Sequence, residues 1–571
     1  MCPKHAGALL RFHAMQQPLG PAQIRIVPLG GLGEIGMNCL AIEQADGIVV
    51  IDCGILFPQD DYGVDVIHPR LDWLVERADR VVGMFVTHAH EDHVGGIPYL
   101  LGELDVPVWG SPYALGVIRR RLAEHHFREH ELSLRPVCPG ERCPVGPFTI
   151  EPVRVSHSIV EATALHITTC AGTILHTGDF NFDPDPPDGE PTDVERLRAI
   201  GDAGVDLMLS DSTNIEVPER DCTERDVGVE LDRLVGGALQ RVFVAMFASN
   251  VHRMSILGEI AQRHGRRICL LGRSMGNHTD VAQQVGRLRW PSHLLVAPEA
   301  ARDTPRHTLL VLAGGSQAET NSAMVRLAAD VHNHLSVESG DTVVFSSRII
   351  PGNERSVFSL MSALLRKGVD LHSRITNPRV HTSGHAVRSE QERMLRLLRP
   401  RAFLPVHGTL HHLRRHAELA CELGVPHVLT VENGTTVRFD ADRLEVDGFV
   451  PHGRVSIADG GEPVDRDTLA RRAELGRSGI VTIALVVDGA GRVAAEPGVC
   501  AYGVPSVDGD GEALRQVARH VLDAFSRTCS RATEPAVTDA IRRAVRRRLV
   551  DLCGCRPVVQ VQLSVLDAPE Q

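Results

Sequence analysis

The strongest constraint on this chain is the stretch His88-Ala89-His90-Glu91-Asp92-His93, which follows the apolar run Val81-Val82-Gly83-Met84-Phe85-Val86 and Thr87. The run predicts a buried strand, so the cluster falls on the loop at that strand's end. Three imidazoles and an aspartate this close together supply nitrogen and oxygen ligands for a borderline metal such as zinc. Adjacent side chains diverge, so one loop cannot close four ligands around one ion. His88 and His90 can face one ion while Asp92 and His93 face a second. The alternative is a histidine-rich surface loop, and the buried strand ahead of the cluster argues against it.

The same device recurs along the chain. The stretches Val153-Arg154-Val155-Ser156-His157, Ile174-Leu175-His176-Thr177-Gly178-Asp179 and Leu207-Met208-Leu209-Ser210-Asp211 each read as an apolar strand with one His or Asp at its tip. So do Val380-His381-Thr382-Ser383-Gly384-His385 and Phe403-Leu404-Pro405-Val406-His407. Asp52, after the apolar run Ile48-Val49-Val50-Ile51, is placed to orient a ligand imidazole as an acceptor behind it. Any single tip is an ordinary turn residue. Their recurrence suits a β-sandwich that presents metal ligands on one rim from rigid supports. The glycine-rich stretch Gly30-Gly31-Leu32-Gly33-Glu34-Ile35-Gly36 resembles a nucleotide loop. The residues after it read as another strand, so a tight hairpin near the metal centre is expected instead.

From about residue 217 strands alternate with helices, which implies a parallel sheet with polar loops at its C-terminal ends. Those loops hold Ser249, Asn250, Arg253, Arg273, Ser316, Gln317, Arg348 and Asn353, hydroxyls, amides and guanidinia suited to phosphate and ribose contacts. Net charge is −12, yet residues 241–400 carry 21 Lys and Arg against 12 Asp and Glu. A basic middle between acidic flanks keeps a nucleic-acid partner open. Arginine abundance alone proves nothing, since lysine occurs only at Lys4 and Lys367.

The expected organisation is a disordered tail (1–21), a metal domain in two parts (22–217 and 377–458) and an inserted domain (218–376). A linker (459–467) and a small α/β C-terminal domain (468–571) follow. The basic stretch Ile541-Arg542-Arg543-Ala544-Val545-Arg546-Arg547-Arg548 reads as a solvated or subunit-facing helix. No apolar run of membrane-spanning length and no secretory leader is visible. Thirteen cysteines without a Cys-x-x-Cys spacing point to free thiols in a reducing cytoplasm.

These motifs, in this order, resemble the metallo-β-lactamase superfamily. Ser210-Asp211-Ser212-Thr213-Asn214, Ser383-Gly384-His385-Ala386 and Pro405-Val406-His407-Gly408 resemble the added motifs of its β-CASP nucleic-acid branch. Ser249-Asn250-Val251-His252-Arg253, Gly272-Arg273-Ser274-Met275 and Pro351-Gly352-Asn353-Glu354 narrow the likeness to the bacterial ribonuclease J family. Departures are Ala89 for a usual Gly, Val160-Glu161-Ala162 for Pro-Asp-Ser, Ala318 and Thr320 in a usual Ser-Gln-Gly-Glu-Pro, and Thr409-Leu410 for Glu-Tyr. None removes a proposed ligand.

The resemblance implies an αββα sandwich with an inserted β-CASP domain and a small α/β C-terminal domain. It implies two zinc ions, with Mn2+ or Mg2+ as substitutes: His88, His90 and His157 on one, Asp92, His93 and His407 on the other, and Asp179 bridging. It further implies hydroxide attack on an RNA phosphodiester, with His385 serving the leaving oxygen and Asp211 orienting it. His381, Thr382, Ser383, Gly384, Ser346 and Ser347 become candidates for phosphate binding. The implied activity is 5′→3′ exonuclease on single-stranded 5′-monophosphate RNA, with endonuclease activity, in RNA maturation and mRNA decay. A homodimer or homotetramer, in an RNA-decay complex and off the membrane, is also implied. Competing readings are a β-CASP DNA nuclease, a thioester or lactone hydrolase, and an inactive scaffold. The long basic insert speaks against the second, and the full ligand set against the third.

Overall fold

The structure is a computed structural model and describes residues 18–58, 62–440, 443–458, 460–528 and 533–566. Most of the tail expected over residues 1–21 lies outside them. The chain divides into two compact units, residues 1–59 with 66–455, and residues 60–65 with 456–571.

In the first unit, two mixed sheets face each other. One runs Arg443–Phe449, Thr435–Asp440, Ile24–Gly30, Cys39–Gln44, Gly47–Ile51, Val81–Phe85, Val108–Gly110, Leu134–Pro136 in spatial order. The other runs His427–Val428, Ala402–Val406, Leu207–Asp211, Gly172–His176, Thr163–Thr169, Phe148–Arg154, Cys143–Val145. Alternation along single strands explains the layering. Ile24 and Ile26 join Phe85, Ile150, Ile167 and Leu207 in the core between the sheets. Val27 and Leu29 belong instead to an outer layer with Trp73, Ile97 and Leu100, most of them from flanking helices. Both faces are therefore apolar, and the strands read as continuous hydrophobic runs.

After Leu207–Asp211 the chain leaves this sandwich and returns with Ala402–Val406, its direct parallel neighbour, in register from Leu207 opposite Ala402 to Asp211 opposite Val406. Two strands adjacent in space and almost two hundred residues apart in sequence are the signature of an insertion. Within it lies a six-stranded sheet, Leu295–Val296, Arg267–Leu271, Leu309–Ala313, Val242–Ala245, Thr342–Phe345, Asp370–Ser373, every pairing parallel.

Two local expectations are corrected. Residues 380–385 do not end a strand. A single 3-10 turn, Pro378–Val380, capped by the Asn377 side chain on Arg379 N, runs into irregular backbone at His381, where two short polar residues and a glycine follow. Within the expected linker, whose residue 459 lies outside the described residues, Pro463–Val464 pairs with Ser456 and Ile457, and Asp465 caps the helix Arg466–Ser478 through Thr468 N.

The second unit packs the helices Gly511–Thr528 and Glu534–Cys553 beside a three-stranded sheet of Gly498–Tyr502, Ile480–Asp488 and Val558–Leu566. Val537, Ile541, Val545 and Leu549 form the buried stripe of the second helix; Arg543, Arg546 and Arg547 face outward, while Arg548 donates to Gln516 Oε1 of the neighbouring helix (2.7 Å). No helix among the described residues is long and apolar enough to cross a membrane.

Candidate metal centre

Asp52, residues 88–93, His157, Asp179, Asp211 and His407, each at or just past the end of a strand, gather with His385 on one rim of the sandwich. Asp52, held in a left-handed conformation (φ 58°), accepts from Thr87 N (2.8 Å) and Thr87 Oγ1 (2.7 Å). Its Oδ2 also accepts from His93 Nδ1 (2.7 Å). The Thr87 hydroxyl proton is thereby used, so that oxygen accepts from His88 Nδ1 (3.0 Å). Across the cleft, Gly384 O accepts from His157 Nδ1 (2.9 Å). In His88 and His157 the Nδ1 proton is committed behind the ring, which leaves Nε2 bare and turned into the site; His93 Nε2 also faces the site and lies 3.0 Å from Asn38 Nδ2.

The bare nitrogens converge. His88 Nε2 and His157 Nε2 each lie 3.1 Å from His90 Nδ1. One proton on His90 cannot satisfy both contacts, and a tetrahedral zinc with nitrogen at 2.0–2.1 Å has ligand–ligand edges of about 3.3 Å. Asp179 Oδ2 stands 3.3 Å from His93 Nε2, 3.7 Å from His88 Nε2 and 3.8 Å from His157 Nε2. That oxygen is buried and has no hydrogen-bond partner, and the same is true of His407 Nε2. His407 also has a left-handed backbone (φ 50°) and lies 2.8 Å from Asp179 Oδ1 through Nδ1 and 3.4 Å from Asp92 Oδ2 through Nε2. Three groups have their ligand atoms within 4.8 Å of one another: His88, His90, His157 and Asp179; Asp92, His93, Asp179 and His407; and, overlapping the second, Asp179, Asp211, His385 and His407. Unpaired lone pairs and orphaned buried atoms are what a bound cation would relieve, so the residues fit divalent metal.

Charge supports the same conclusion. Burial, followed by neighbouring imidazoles or imidazolium, pushes His88 and His90 well below the usual histidine range and His157 down to about 4. These rings are neutral at pH 7, the form that ligates. Burial would raise Asp179, but His407, His93 and His385 hold it well below the usual carboxylate range. All the ion-pair partners shown for Asp92, Asp179 and Asp211 are histidines, so among the described residues no lysine or arginine pairs with these carboxylates.

His385 stands beside this cluster. Its Nδ1 donates to Asp211 Oδ2 (3.0 Å), and Asp211 is fixed by Thr213 N (2.9 Å), Thr213 Oγ1 (2.7 Å) and Gln391 Nε2 on its carbonyl (3.2 Å). The His385 side chain is 23% exposed where those of the other clustered imidazoles at Asp179 are near zero, so it borders the opening.

The expected substrate contacts divide. Arg253 is engaged internally: its side chain is 1% exposed and both its arms are bonded within the protein. Nε and Nη2 donate to Glu224 (2.8 Å each), and Nη1 to Ser346 O (2.6 Å) and His381 Nδ1 (3.1 Å). Ser346 Oγ donates to Val380 O, Thr382 Oγ1 donates to Cys222 O, and Asn250 caps the helix Val251–Arg263 through Arg253 N. Arg253, Ser346, His381, Thr382 and Asn250 are thus framework, because burial forces each polar atom onto an internal partner. Ser383 Oγ accepts from Asn214 Nδ2 (2.8 Å), and Ser347 lines a cavity of about 430 Å³ with Arg348 and Arg374. Ser249 and Asn353 are half-buried, and Arg273 is exposed at the start of the helix Arg273–Gln284. Sequence reasoning missed Arg220, Gln391 and Asn181, whose Nδ2 donates to Gly384 O (2.7 Å). Only Asn214, inside the Ser-Asp-Ser-Thr-Asn motif, carried a signal.

Four family models match this chain: a beta-lactamase superfamily domain over residues 48–221, a ribonuclease J beta-CASP domain over 239–364, a Zn-dependent metallo-hydrolase RNA specificity domain over 375–430, and a ribonuclease J C-terminal domain over 467–564. Proteins named ribonuclease J from Mycolicibacterium smegmatis and Mycobacterium tuberculosis are each 38% identical, over 95% of this chain and 97% of their own. One from Helicobacter pylori is 37% identical over 82% of this chain and 68% of its own. A crystal structure of a protein of unknown function from Enterococcus faecalis superposes with a TM-score of 0.52 at 16% identity, covering 73% of this chain and 100% of that one, which bears on the fold alone.

Proposed function

The chain belongs to the ribonuclease J family and is a hydrolytic nuclease of the metallo-β-lactamase and β-CASP type, and from that premise we propose how it acts and on what. The proposed activity is 5′→3′ exonucleolysis of single-stranded RNA with a 5′-monophosphate, with internal cleavage as a second mode. Zinc is the proposed metal, at two ions per subunit, with manganese or magnesium as substitutes. The observation that carries the reading is the convergence of two donor groups on Asp179, with the His385–Asp211 pair beside them.

His88, His90 and His157 would hold one ion and Asp92, His93 and His407 the other, sharing Asp179. Ions bound there supply Lewis acidity and bring the pKa of water towards neutrality. The protein's own part is orientation. Asp52 and the Gly384 carbonyl fix the tautomers of His93 and His157, so their lone pairs are presented without reorganisation. Cleavage of the P–O3′ bond requires a proton on the departing 3′-oxygen. His385, with Nδ1 tied to Asp211, has Nε2 free to deliver it. Candidates for grip on the RNA are Ser383, Gly384, Ser347, Ser249, Arg273, Arg348 and Asn353, at loops bordering the cleft or the insert. The eleven described cysteines are all free thiols, which supports a cytoplasmic setting. Dimers or tetramers, a place in an RNA-decay complex and roles in RNA maturation and mRNA decay complete the proposal.

Its test is degradation of one 5′-end-labelled RNA carrying either a monophosphate or a triphosphate, by the wild type and by His90→Ala. Mononucleotides released first from the monophosphate RNA, and lost in His90→Ala, are expected. Internal fragments regardless of the 5′ group would reassign it as chiefly an endonuclease, and no RNA cleavage by metal-replete protein would overturn the reading.

A further inference from the structure

We infer that Arg220 is a positioning residue for His385, an inference that rests on the proton-donor role proposed above. Arg220 lies outside every motif of the sequence, yet its guanidinium is bonded on all sides. Nη1 donates to Ser383 O (2.7 Å) and Thr382 Oγ1 (3.2 Å), and Nη2 to His385 O (3.2 Å). Nε and Nη2 also meet Glu390 Oε1 (2.9 Å) and Oε2 (2.8 Å) in a forked pair, with side-chain exposures of only 13% and 12%. Glu390 in turn accepts from Phe182 N (3.3 Å) and Val387 N (3.1 Å).

One planar fork therefore joins three pieces of backbone: the segment just beyond Asp179, the loop that carries His385, and the first turn of the helix Arg388–Leu398. Residues 381–385 belong to no sheet, so no ladder fixes the height of His385 above Asp179. Arg220 replaces that ladder by holding the carbonyls of residues 383 and 385. Asn214 adds a lighter second hold through Ser383 Oγ (2.8 Å) and His385 O (3.4 Å), itself steadied by Arg348 on Asn214 Oδ1 (2.9 Å). Lysine offers a point charge and cannot serve carbonyls and carboxylate in one plane. A displacement of about 1 Å in a reacting group costs on the order of 100-fold in rate. Arg220 has no hydrogen bond to the proposed metal ligands, and Gly384 O, the acceptor of His157 Nδ1, is held separately by Asn181 Nδ2 (2.7 Å), so its loss falls on turnover more than on metal occupancy.

The experiment uses full-length, metal-replete protein and the 5′-monophosphate RNA above. Wild type, Arg220→Ala and Arg220→Lys are compared for kcat, KM, bound metal and hydrogen exchange over residues 382–387, and Arg220→Ala is also titrated with guanidinium. For Arg220→Ala, kcat is expected to fall by about 30- to 100-fold, with KM and metal content near wild type and exchange accelerated over 382–387. Guanidinium is expected to restore part of kcat, while Arg220→Lys stays defective. Wild-type kcat, a loss confined to KM, or a loss matched by missing metal would overturn the inference. Should Arg220→Ala fail to fold, Glu390→Gln keeps the shape and weakens the fork, and the same split of kcat from KM is expected. Failure of the wild type to cleave RNA defeats the functional reading separately. Unchanged exchange in the Arg220 variant then also overturns the hold itself.

Discussion

The rim of the sandwich and the polar loops of the inserted sheet carry similar side chains, and they use them in opposite ways. At the rim, hydrogen bonds lie behind the rings and the reactive atoms are left unpaired: Asp179 Oδ2 and His407 Nε2 are buried without a partner. Around the insert, Arg253, Ser346, His381 and Thr382 turn their polar atoms onto one another and onto backbone. Buried polar groups are almost always satisfied, so an unsatisfied cluster marks a ligand site and a satisfied one marks framework. Residue type alone does not separate the two.

The sharpest way to break that contrast is to remove the shared carboxylate. Asp179→Asn keeps the size and takes away the charge on which both donor groups converge. Cleavage is expected to fall by more than about 1,000-fold, on the order of 4 kcal/mol of transition-state stabilisation. Bound metal, counted by elemental analysis, is expected to fall with it. Full occupancy with full activity would show that the orphaned oxygen is not a ligand.

Arg253 tests the other half of the comparison. As framework, Arg253→Met leaves Glu224 buried beside an apolar side chain, and losing one partner of such a pair costs about 3–5 kcal/mol of stability. Denaturant unfolding is expected to show that loss, while the folded fraction keeps its KM for RNA. Unchanged stability with weakened RNA binding would restore Arg253 to the list of contacts.

This division explains what was legible in the sequence. The ligands are legible because the geometry of a metal centre demands particular residue types at the ends of apolar strands, and both halves of that signal are local. His88 to His93 follow their strand by two to seven residues. Arg220 is illegible because its meaning lies in a partner 170 residues away. The start of the helix Arg466–Ser478 reads as linker because none of the helix's residues is buried, so it has no apolar stripe to betray it. Residues 380–385 read as a strand tip because Val380 is apolar and fully buried, but the segment has no neighbour to pair with. Framework arginines are hidden for the same reason that ligands are not: their pairing is purely tertiary.

A milder change probes the layer behind the rim. Asp52→Asn keeps the contact with Thr87 and removes the anionic acceptor of His93 Nδ1, so that ring is free to take the wrong tautomer. Loss of such an orienting acceptor costs about 10- to 100-fold in metal affinity or activity. A competitive metal titration reads it directly. An affinity within twofold of wild type would mean that Thr87 and packing suffice to hold the ring.

The smallest expected effect decides whether any exposed insert residue escapes the framework rule. Arg273 is exposed, at the first position of its helix, with no hydrogen bond or ion pair shown among the described residues. Nothing internal depends on it, so Arg273→Gln is expected to change stability by less than about 0.5 kcal/mol. A residue that touches one phosphate of a single strand contributes about 0.7 to the slope of log affinity against log salt concentration. Binding of single-stranded RNA measured across a salt series, with a metal-ligand variant to prevent cleavage, is therefore expected to become shallower by that amount. An unchanged slope would place Arg273 off the RNA path. The grip would then fall to the loop residues nearer the rim, the buried Ser347 and the exposed Arg348, where one more arginine substitution, Arg348→Gln, would separate backbone contact from its hold on Asn214.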